Sequence, residues 1–185
     1  MEQGVVFAGF GGQGILLAGK VLARAGMEQG LEVSWLPSYG PEMRGGTANC
    51  TVVLSDKLIG APIVDAPWAL VAMNTPSLDR FEPQLAEGGL AVINSSLVER
   101  AVERTDLTSV HVPVTALAHS LEMPRAGNMV ALGALLRVLD SIPLEAGIQA
   151  MAHEMEERGR ESLADANRKA LELGYEEAGK VVHST

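Results

Sequence analysis

Cysteine is almost absent from this sequence, which has one, Cys50, among 185 residues. A single thiolate cannot build a disulfide framework, and alone it cannot hold an iron–sulfur cluster or a structural zinc ion. Cys50 falls in an apolar segment that we expect to be a strand, where a buried and unreactive thiol is the expected state. The four histidines lack a metal-binding spacing such as H-x-x-x-H, so we predict no metal site.

Basic residues are also scarce, because 14 lysines and arginines stand against 23 acidic residues, for a net charge of −9. A nucleic-acid backbone demands clustered positive charge, so we expect no nucleic-acid partner. Every apolar run is far shorter than the roughly 18 residues of a membrane span, and no basic stretch precedes an apolar one at the N-terminus. We therefore expect a cytoplasmic protein without a membrane partner.

Glycine, in contrast, is abundant, and 11 of the 20 glycines lie in the first 46 residues. Along the chain, short β-branched segments alternate with longer segments of helical spacing. The predicted strands cover residues 5–8, 31–36, 47–54, 69–73, 90–93 and 110–114, with the second stopped by Pro37 and 57–59 returning as a hairpin. The predicted helices begin at Ile15 and then cover 77–86, 97–104, 114–121, 128–140, 144–157 and 162–180. This alternation predicts one domain over residues 1–185, of the α/β class, with three α/β/α layers and a mostly parallel, Rossmann-like sheet.

The segment 128–140 is apolar around nearly its whole helical circumference. Such a helix either lies buried inside the domain or forms part of a subunit interface. The sequence leaves both interpretations open.

A glycine motif, G-x-G-x-x-G, follows the first predicted strand and precedes the first helix. Gly9 is expected to allow a tight turn, Gly11 a close approach of a ligand to the backbone, and Gly14 close packing of helix on strand. Gly12 and Gln13 complete the loop, and the exposed amides at the start of the helix favour an anion. We therefore count all five residues as candidate ligand contacts.

A dinucleotide site also needs an acidic residue at the end of the second strand, where it would bind the ribose hydroxyl. Here that strand ends in Trp35-Leu-Pro-Ser38, and Glu32 stands at its beginning. NAD or FAD binding is therefore disfavoured. The glycines then serve either close packing and subunit contacts or the binding of another phosphate ligand.

The next segment, SYGPEMRGGTANC from Ser38 to Cys50, is more distinctive. We expect it on the same edge of the sheet as the glycine motif, since parallel strands place these loops at their carboxyl ends. Tyr39 offers a stacking face and Arg44 a charged fork, while Gly45 and Gly46 allow positive φ or close approach. A simple pairing of Arg44 with Glu42 is the alternative reading.

Six motifs together carry a family resemblance: GFGGQG, WLPSYGPEMRGGTANC, VAMNTPSLDRF, GGLAVINSSL, AGNMVALGALL and ANRKALELGYE. The sequence resembles the gamma subunit of 2-oxoacid:ferredoxin oxidoreductases, and most closely the 2-oxoglutarate type. The resemblance covers the chain from the first strand to the last helix. It implies the fold of domain III of pyruvate-ferredoxin oxidoreductase.

The resemblance implies oxidative decarboxylation of a 2-oxoacid with coenzyme A, which gives an acyl-CoA, carbon dioxide and reduced ferredoxin. Thiamine diphosphate and iron–sulfur clusters carry that chemistry in partner subunits. This chain has no GDG followed by a distant asparagine pair and no CxxC, so we expect it to bind neither cofactor and to contribute no catalytic residue. We expect the isolated chain to be inactive and to self-associate as a homodimer.

Two further loops follow predicted strands at the same edge. Asn74 follows the fourth strand, and Asn94 follows the fifth. They are candidate ligand contacts, although asparagine is equally a common helix cap and turn residue. Of all these candidates, Arg44 is the one expected to contact a phosphate or carboxylate, such as that of coenzyme A.

Two other functions stay open. The chain could be a free-standing, Rossmann-like module that binds a nucleotide or coenzyme A. It could also be a purely structural interaction subunit. The absent acidic residue after the second strand argues against the NAD form of the first alternative.

Overall fold

The structure, a computed structural model of the protein, describes residues 1–38, 47–61 and 64–182. The strands are β1 (Glu2–Phe10), β2 (Glu32–Ser38), β3 (Thr47–Ser55), β4 (Ala69–Ala72), β5 (Leu90–Asn94) and β6 (Thr108–Val112). The helices are α1 (Ile15–Glu28), α2 (Thr75–Phe81), α3 (Val114–Ser120), α4 (Gly127–Val138), α5 (Leu144–Glu157) and α6 (Ala164–Val182).

The six strands form one mixed sheet in the order β2-β3-β1-β4-β5-β6. β1, β4, β5 and β6 run parallel to one another, with Ala8 opposite Ala72 and Ala72 opposite Ile93. β3 runs antiparallel to both β1 and β2. β2 therefore points the same way as β1, and their carboxyl ends meet at one edge of the sheet. The predicted α/β fold is confirmed, with an antiparallel hairpin, β2–β3, added to the parallel part.

Successive side chains along each strand point to opposite faces of the sheet, and they pack into two separate hydrophobic cores. In β1, Val5 and Phe7 face a large core shared with α1 and with helices α3 to α6, while Val6 and Ala8 face a smaller core shared with α2. The sheet is thus covered on both faces, unequally. α5 packs on α1, α4 and α6, outside the helices that lie on the sheet.

The apolar segment 128–140 is a buried helix. In α4 every residue from Asn128 to Leu136 is buried, and α4 packs chiefly against α6. The two helices touch through their backbones: a Cβ placed on Gly133 would lie 2.0 Å from the carbonyl oxygen of Leu171, and one on Gly174 would lie 1.9 Å from that of Val130. Of the two interpretations left open by the sequence, the structure supports the buried helix.

The sequence predicts that Pro37 ends the second strand, and this prediction is wrong. β2 continues through Pro37, which lies opposite Cys50, to Ser38. β2 is the end strand of the sheet in the described residues, and proline, which has no N–H to donate, is tolerated in an edge strand.

The predicted helix over 97–104 is also wrong, since these residues, all described, adopt no helix. The amides of Glu103 and Arg104 donate instead to one carboxylate oxygen of Glu82, at 2.5 and 2.9 Å. Those bonds take the N–H groups that a helix would use. The hairpin return over 57–59 likewise adds no strand.

In the described parts of the chain, none of the helices is both long enough and apolar enough to cross a bilayer.

Candidate functional site

The glycine loop (residues 9–14) leaves the sheet at the end of β1. Gly9 lies still within β1, and a Cβ there would come within 2.6 Å of Gln13 Oε1 and 2.9 Å of Met73 Cβ. Gln13 closes the loop, because its Oε1 accepts a hydrogen bond of 2.6 Å from the amide of Phe10. Close packing, and not the tight turn expected from the motif, is therefore what requires glycine at position 9.

The turn itself is made by the later glycines. Gly12 has φ +95° and Gly14 φ +73°, a region that favours glycine. Gly14 precedes the first residue of α1, and its carbonyl accepts a bond of 3.2 Å from Asn128 Nδ2. A Cβ on Gly14 would lie 2.5 Å from that same nitrogen. The loop is thus tied to the start of α4.

The start of α1 leaves amides available to a ligand. Gly14 has no side chain with which to cap the helix, and the amide of Ala18 makes the bond back to the Gly14 carbonyl. The N–H groups of Ile15, Leu16 and Leu17 therefore carry the positive end of the helix dipole without a side-chain cap. This geometry is suited to an anion.

Two cavities open on the glycine loop, and Gly12 and Gly14 line both. The smaller, of about 310 Å³, also reaches Ser38 and Ala48, on either side of the segment 39–46. The expected common edge for the glycine loop and the end of β2 is therefore present. Four predicted site residues, Tyr39, Arg44, Gly45 and Gly46, lie outside the described residues.

The larger cavity, of about 480 Å³, was missed by reasoning from the sequence. Its walls are the glycine loop, the turn before α4, the end of α5 and the start of α6. The lining includes the charged residues Glu122, Arg125, Arg158 and Arg160. No local motif predicts this cavity, because its walls are far apart in sequence. Asn128, for example, lies 114 residues from its contact at Gly14.

Asn74 and Asn94 both lie at the predicted edge and are both buried. Asn74 caps α2, with its Oδ1 accepting from the amide of Ser77 at 2.9 Å, while its Nδ2 finds no partner among the described residues. Asn94 binds Met73 O and Thr115 Oγ1 through Nδ2, at 3.3 and 3.0 Å. Asn74 therefore caps a helix and Asn94 holds neighbouring loops together, which are the structural alternatives to ligand contact named for these residues.

Cys50 offers no nucleophile at neutral pH. It is fully buried against α1, and burial raises the pKa of its thiol to about 12. In residues 1–38, 47–61 and 64–182, no group of histidine, cysteine and carboxylate side chains is arranged to hold a metal ion.

The sequence profile of the pyruvate ferredoxin/flavodoxin oxidoreductase family matches residues 4–177. The chain belongs to this family. The resemblance seen in the sequence motifs is thereby confirmed for nearly the whole chain.

Two curated members of the oxidoreductase family show how the domain occurs in longer and shorter chains. Ketoisovalerate oxidoreductase subunit VorA of Methanothermobacter thermautotrophicus is 39% identical over 176 residues, which are 95% of this chain and 36% of VorA. 2-Oxoglutarate synthase subunit KorC of Methanocaldococcus jannaschii is 34% identical over 181 residues, which are 96% of this chain and 95% of KorC. The chain thus spans little more than a third of VorA and nearly all of KorC.

Two solved structures share the fold. The gamma subunit of a keto/oxoacid ferredoxin oxidoreductase from Geobacter sulfurreducens matches with a TM-score of 0.86 and 28% identity, over 98% of both chains. A 2-oxoglutarate:ferredoxin oxidoreductase from Magnetococcus marinus, solved with 2-oxoglutarate, coenzyme A and succinyl-CoA bound, matches with a TM-score of 0.86 and 23% identity, over 97% of this chain and 31% of that one. At that identity the second match speaks for the fold alone. The chain is thus a gamma-type domain of the oxidoreductase family.

Proposed function

We propose that this chain is the gamma part of a multi-subunit 2-oxoacid:ferredoxin oxidoreductase, which converts a 2-oxoacid and coenzyme A to an acyl-CoA, carbon dioxide and reduced ferredoxin. The observation that carries the proposal is the family match over residues 4–177, together with a relative of nearly the same length, KorC, that is itself named as a subunit. The setting proposed is the cytoplasm.

The share of the work assigned to this chain is binding and positioning. Thiamine diphosphate, when bound to a partner subunit, supplies the carbanion-stabilising chemistry. The single buried thiol of Cys50 does not fit a cluster-binding role, and the described residues include no metal-ion grouping. Thiamine diphosphate and the iron–sulfur clusters are therefore assigned to partner subunits. The reduction of ferredoxin is assigned to the whole complex.

The surface proposed to meet coenzyme A and the thiamine-bearing subunit is the glycine loop together with the segment 39–46. Two observations support it: Ser38 and Ala48 share a cavity with the glycine loop, and the start of α1 has no side-chain cap. Within the segment, Arg44 is the proposed phosphate or carboxylate contact, because its planar fork suits both groups. Asn74 and Asn94 act beneath this surface by holding the neighbouring loops.

The proposed 2-oxoacid is 2-oxoglutarate. This rests on the segment SYGPEMRGGTANC and on the likeness to KorC, named a 2-oxoglutarate synthase subunit. The more identical relative VorA is named for ketoisovalerate, so the overall identity of this domain does not decide the substrate. Selection is assigned to the partner subunits.

The test is gentle affinity purification of the tagged chain from its native cell, followed by mass spectrometry of the proteins that co-purify. We expect a thiamine-diphosphate subunit and an iron–sulfur subunit, with coenzyme-A-dependent oxidation of 2-oxoglutarate in the same fraction. Pyruvate and ketoisovalerate serve as substrate controls. A chain that emerges alone or with unrelated proteins would overturn the proposal in favour of a free-standing ligand-binding module.

A further inference from the structure

We propose that β2, the end strand of the sheet, pairs antiparallel with β2 of a second copy of this chain, so that the two sheets join into one across a two-fold axis. The surface that carries the pairing, here called the β2 edge, is the side of Glu32–Ser38 that faces away from β3. The inference goes beyond the proposed function and does not depend on it.

The β2 edge is open along its whole length in the part of the chain that the structure describes. β2 pairs with β3 on one side, from Glu32 to Ser38, and packs chiefly against β3 and α1. An end strand of this kind presents a row of N–H and C=O groups that only another extended strand can pair in register. The shape of the β2 edge therefore fits a β-strand.

β2 has few of the features by which end strands avoid pairing with other chains. Its register with β3 is continuous and without a bulge, and its seven residues exceed the five of β6, the end strand on the other side of the sheet. It contains no lysine, and its single charged residue, Glu32, stands at the first position. Pro37 removes one N–H near the other end and leaves the middle of the strand, 33–36, able to pair.

The side chains along the β2 edge are partly apolar and still in contact with water. Val33 and Trp35 are half-buried against α1, whereas Leu36, on the other face of the sheet, is 44% exposed. Met27, in the last turn of α1 just before β2, is 65% exposed. Cross-strand contacts between apolar side chains stabilise a pair of strands, so a second β2 adds contacts as well as backbone hydrogen bonds.

Charge favours a second copy of this chain in one particular register. Pairing centred on Trp35, the middle residue, brings all seven residues of both strands into register and places Glu32 opposite Ser38 of the second copy. The two Glu32 carboxylates then lie about 20 Å apart, at about 3.4 Å per residue. Two chains that each have a net charge of −9 thus meet at strands with one charge each, held apart.

The same arrangement is compatible with the other surfaces of the molecule. Because the two β2 strands run antiparallel, the carboxyl ends of the two sheets, with their glycine loops, point in opposite directions. Each copy therefore keeps its own glycine loop free for partner subunits.

The experiment measures the mass of the full chain in solution by sedimentation velocity over a range of concentrations. We expect wild type to reach twice the mass of one chain, and Ser34→Lys/Leu36→Lys to raise the dissociation constant of the dimer at least tenfold. In the proposed register Ser34 lies opposite Leu36 of the second copy, so the introduced lysines repel one another. A wild type that remains a single chain over the whole range would overturn the inference.

The matched control is Ser109→Lys/His111→Lys. It adds two lysines to β6, the end strand on the other side of the sheet, on the face away from the larger core, where Ser34 and Leu36 also lie. The control should leave the dimer intact. Equal dissociation of both lysine variants would show that added charge, and not the β2 edge, separates the copies, and would contradict the inference.

A charge-swapped variant, Ser34→Glu/Leu36→Glu, tests both the identity of the partner and the register. It should remain a single chain by itself, whereas an equimolar mixture with the lysine variant of β2 should form mixed dimers, because each lysine then lies opposite a glutamate. Matching thermal unfolding curves show that the separated chains are folded. No mixed dimer, together with failure of the lysine variant to join the assembled complex, would assign the β2 edge to another subunit and overturn the choice of a second copy.

Discussion

Single side chains hold the loops of this protein in shape, and Glu82 shows how much one residue can do. Its side chain is 3% exposed, and Arg100 Nη1 contacts Oε2 at 2.7 Å while the amides of Glu103 and Arg104 bind Oε1. Burial raises the pKa of Glu82, but the hydrogen bonds from Arg104, Arg100 and Glu103 together outweigh it, so the pKa lies below its usual value. The ionised carboxylate therefore stabilises the fold.

Glu82→Gln should lower the free energy of unfolding at pH 7 by about 2 kcal/mol, the usual loss for hydrogen bonds to a buried charge. Because the pKa is lower in the folded protein, the stabilisation is complete above the unfolded pKa of about 4.3 and is lost as pH falls through the folded pKa. The difference between variant and wild type should therefore shrink below about pH 4. Urea unfolding across pH 3 to 7 measures it.

The control is Glu103→Gln, the same change at an exposed position of the segment 97–104, which Glu82 binds. Its unfolding free energy should stay within about 0.5 kcal/mol of wild type. A Glu82→Gln loss that is equal at pH 3 and pH 7 would contradict the role given to the ionised carboxylate.

At the level of elements, the crossing of α4 and α6 depends on two glycines, Gly133 and Gly174, each of which faces the backbone of the other helix. Gly174→Ala would place a methyl group 1.9 Å from the carbonyl oxygen of Val130, and a backbone atom cannot turn aside as a side chain can. Overpacking of this kind costs about 1–3 kcal/mol, more than the 0.5–1 kcal/mol that alanine gains over glycine in a helix. We expect Gly174→Ala to lower the thermal unfolding temperature by several degrees.

Gly179→Ala is the matched control, because it makes the same change in the same helix, where the nearest atom is the side-chain Nε of Arg137 at 2.9 Å. That guanidinium is at the end of a long, half-buried side chain and can shift. The unfolding temperature of Gly179→Ala should therefore stay close to that of wild type, as measured by the same calorimetry. If both variants melt alike, the backbone contact is not what limits the crossing.

Secondary structure was predictable here where periodicity is strong and failed where a side chain from elsewhere intervenes. α5 has the predicted bounds, 144–157, because its pattern is local. Residues 97–104 have helical spacing, but the carboxylate of Glu82 takes two of their amides. The strand tolerates Pro37 because β2 lies at the end of the sheet, and the local sequence does not encode that position.

The glycine motif was predictable in place and only partly in role. Its spacing located the loop between β1 and α1, and the structure has it there. The roles of Gly9 and Gly14 depend on Met73 and Asn128, which are distant in sequence. The larger cavity at the glycine loop could not be predicted from the sequence for the same reason, since its walls come from both halves of the chain.

At the scale of the whole molecule, the proposed function assigns binding and positioning to this chain and the chemistry to its partners. Its one cysteine is buried, with a thiol pKa of about 12, and the sequence lacks the motifs for thiamine diphosphate and iron–sulfur clusters. We expect the purified chain alone to reduce no viologen dye with 2-oxoglutarate and coenzyme A. Adding back the co-purifying subunits should restore the reaction.

Dye reduction by the purified chain without partners, at a rate comparable to the complex, would contradict this division of labour. The appropriate blank is the partner subunits without this chain. If the partner subunits reach the full rate by themselves, the gamma chain is not needed for the reaction.

The β2–β3 hairpin has a consequence for how such proteins diversify. β3 is fixed to β1 by a continuous antiparallel register from Glu2 to Phe10, and β2 pairs in turn with β3 from Glu32 to Ser38. All of those pairings join residues outside the segment 39–46, so a substitution within that segment removes none of the paired residues. Natural selection can therefore rework this surface for a new partner or substrate without having to rebuild the domain that carries it.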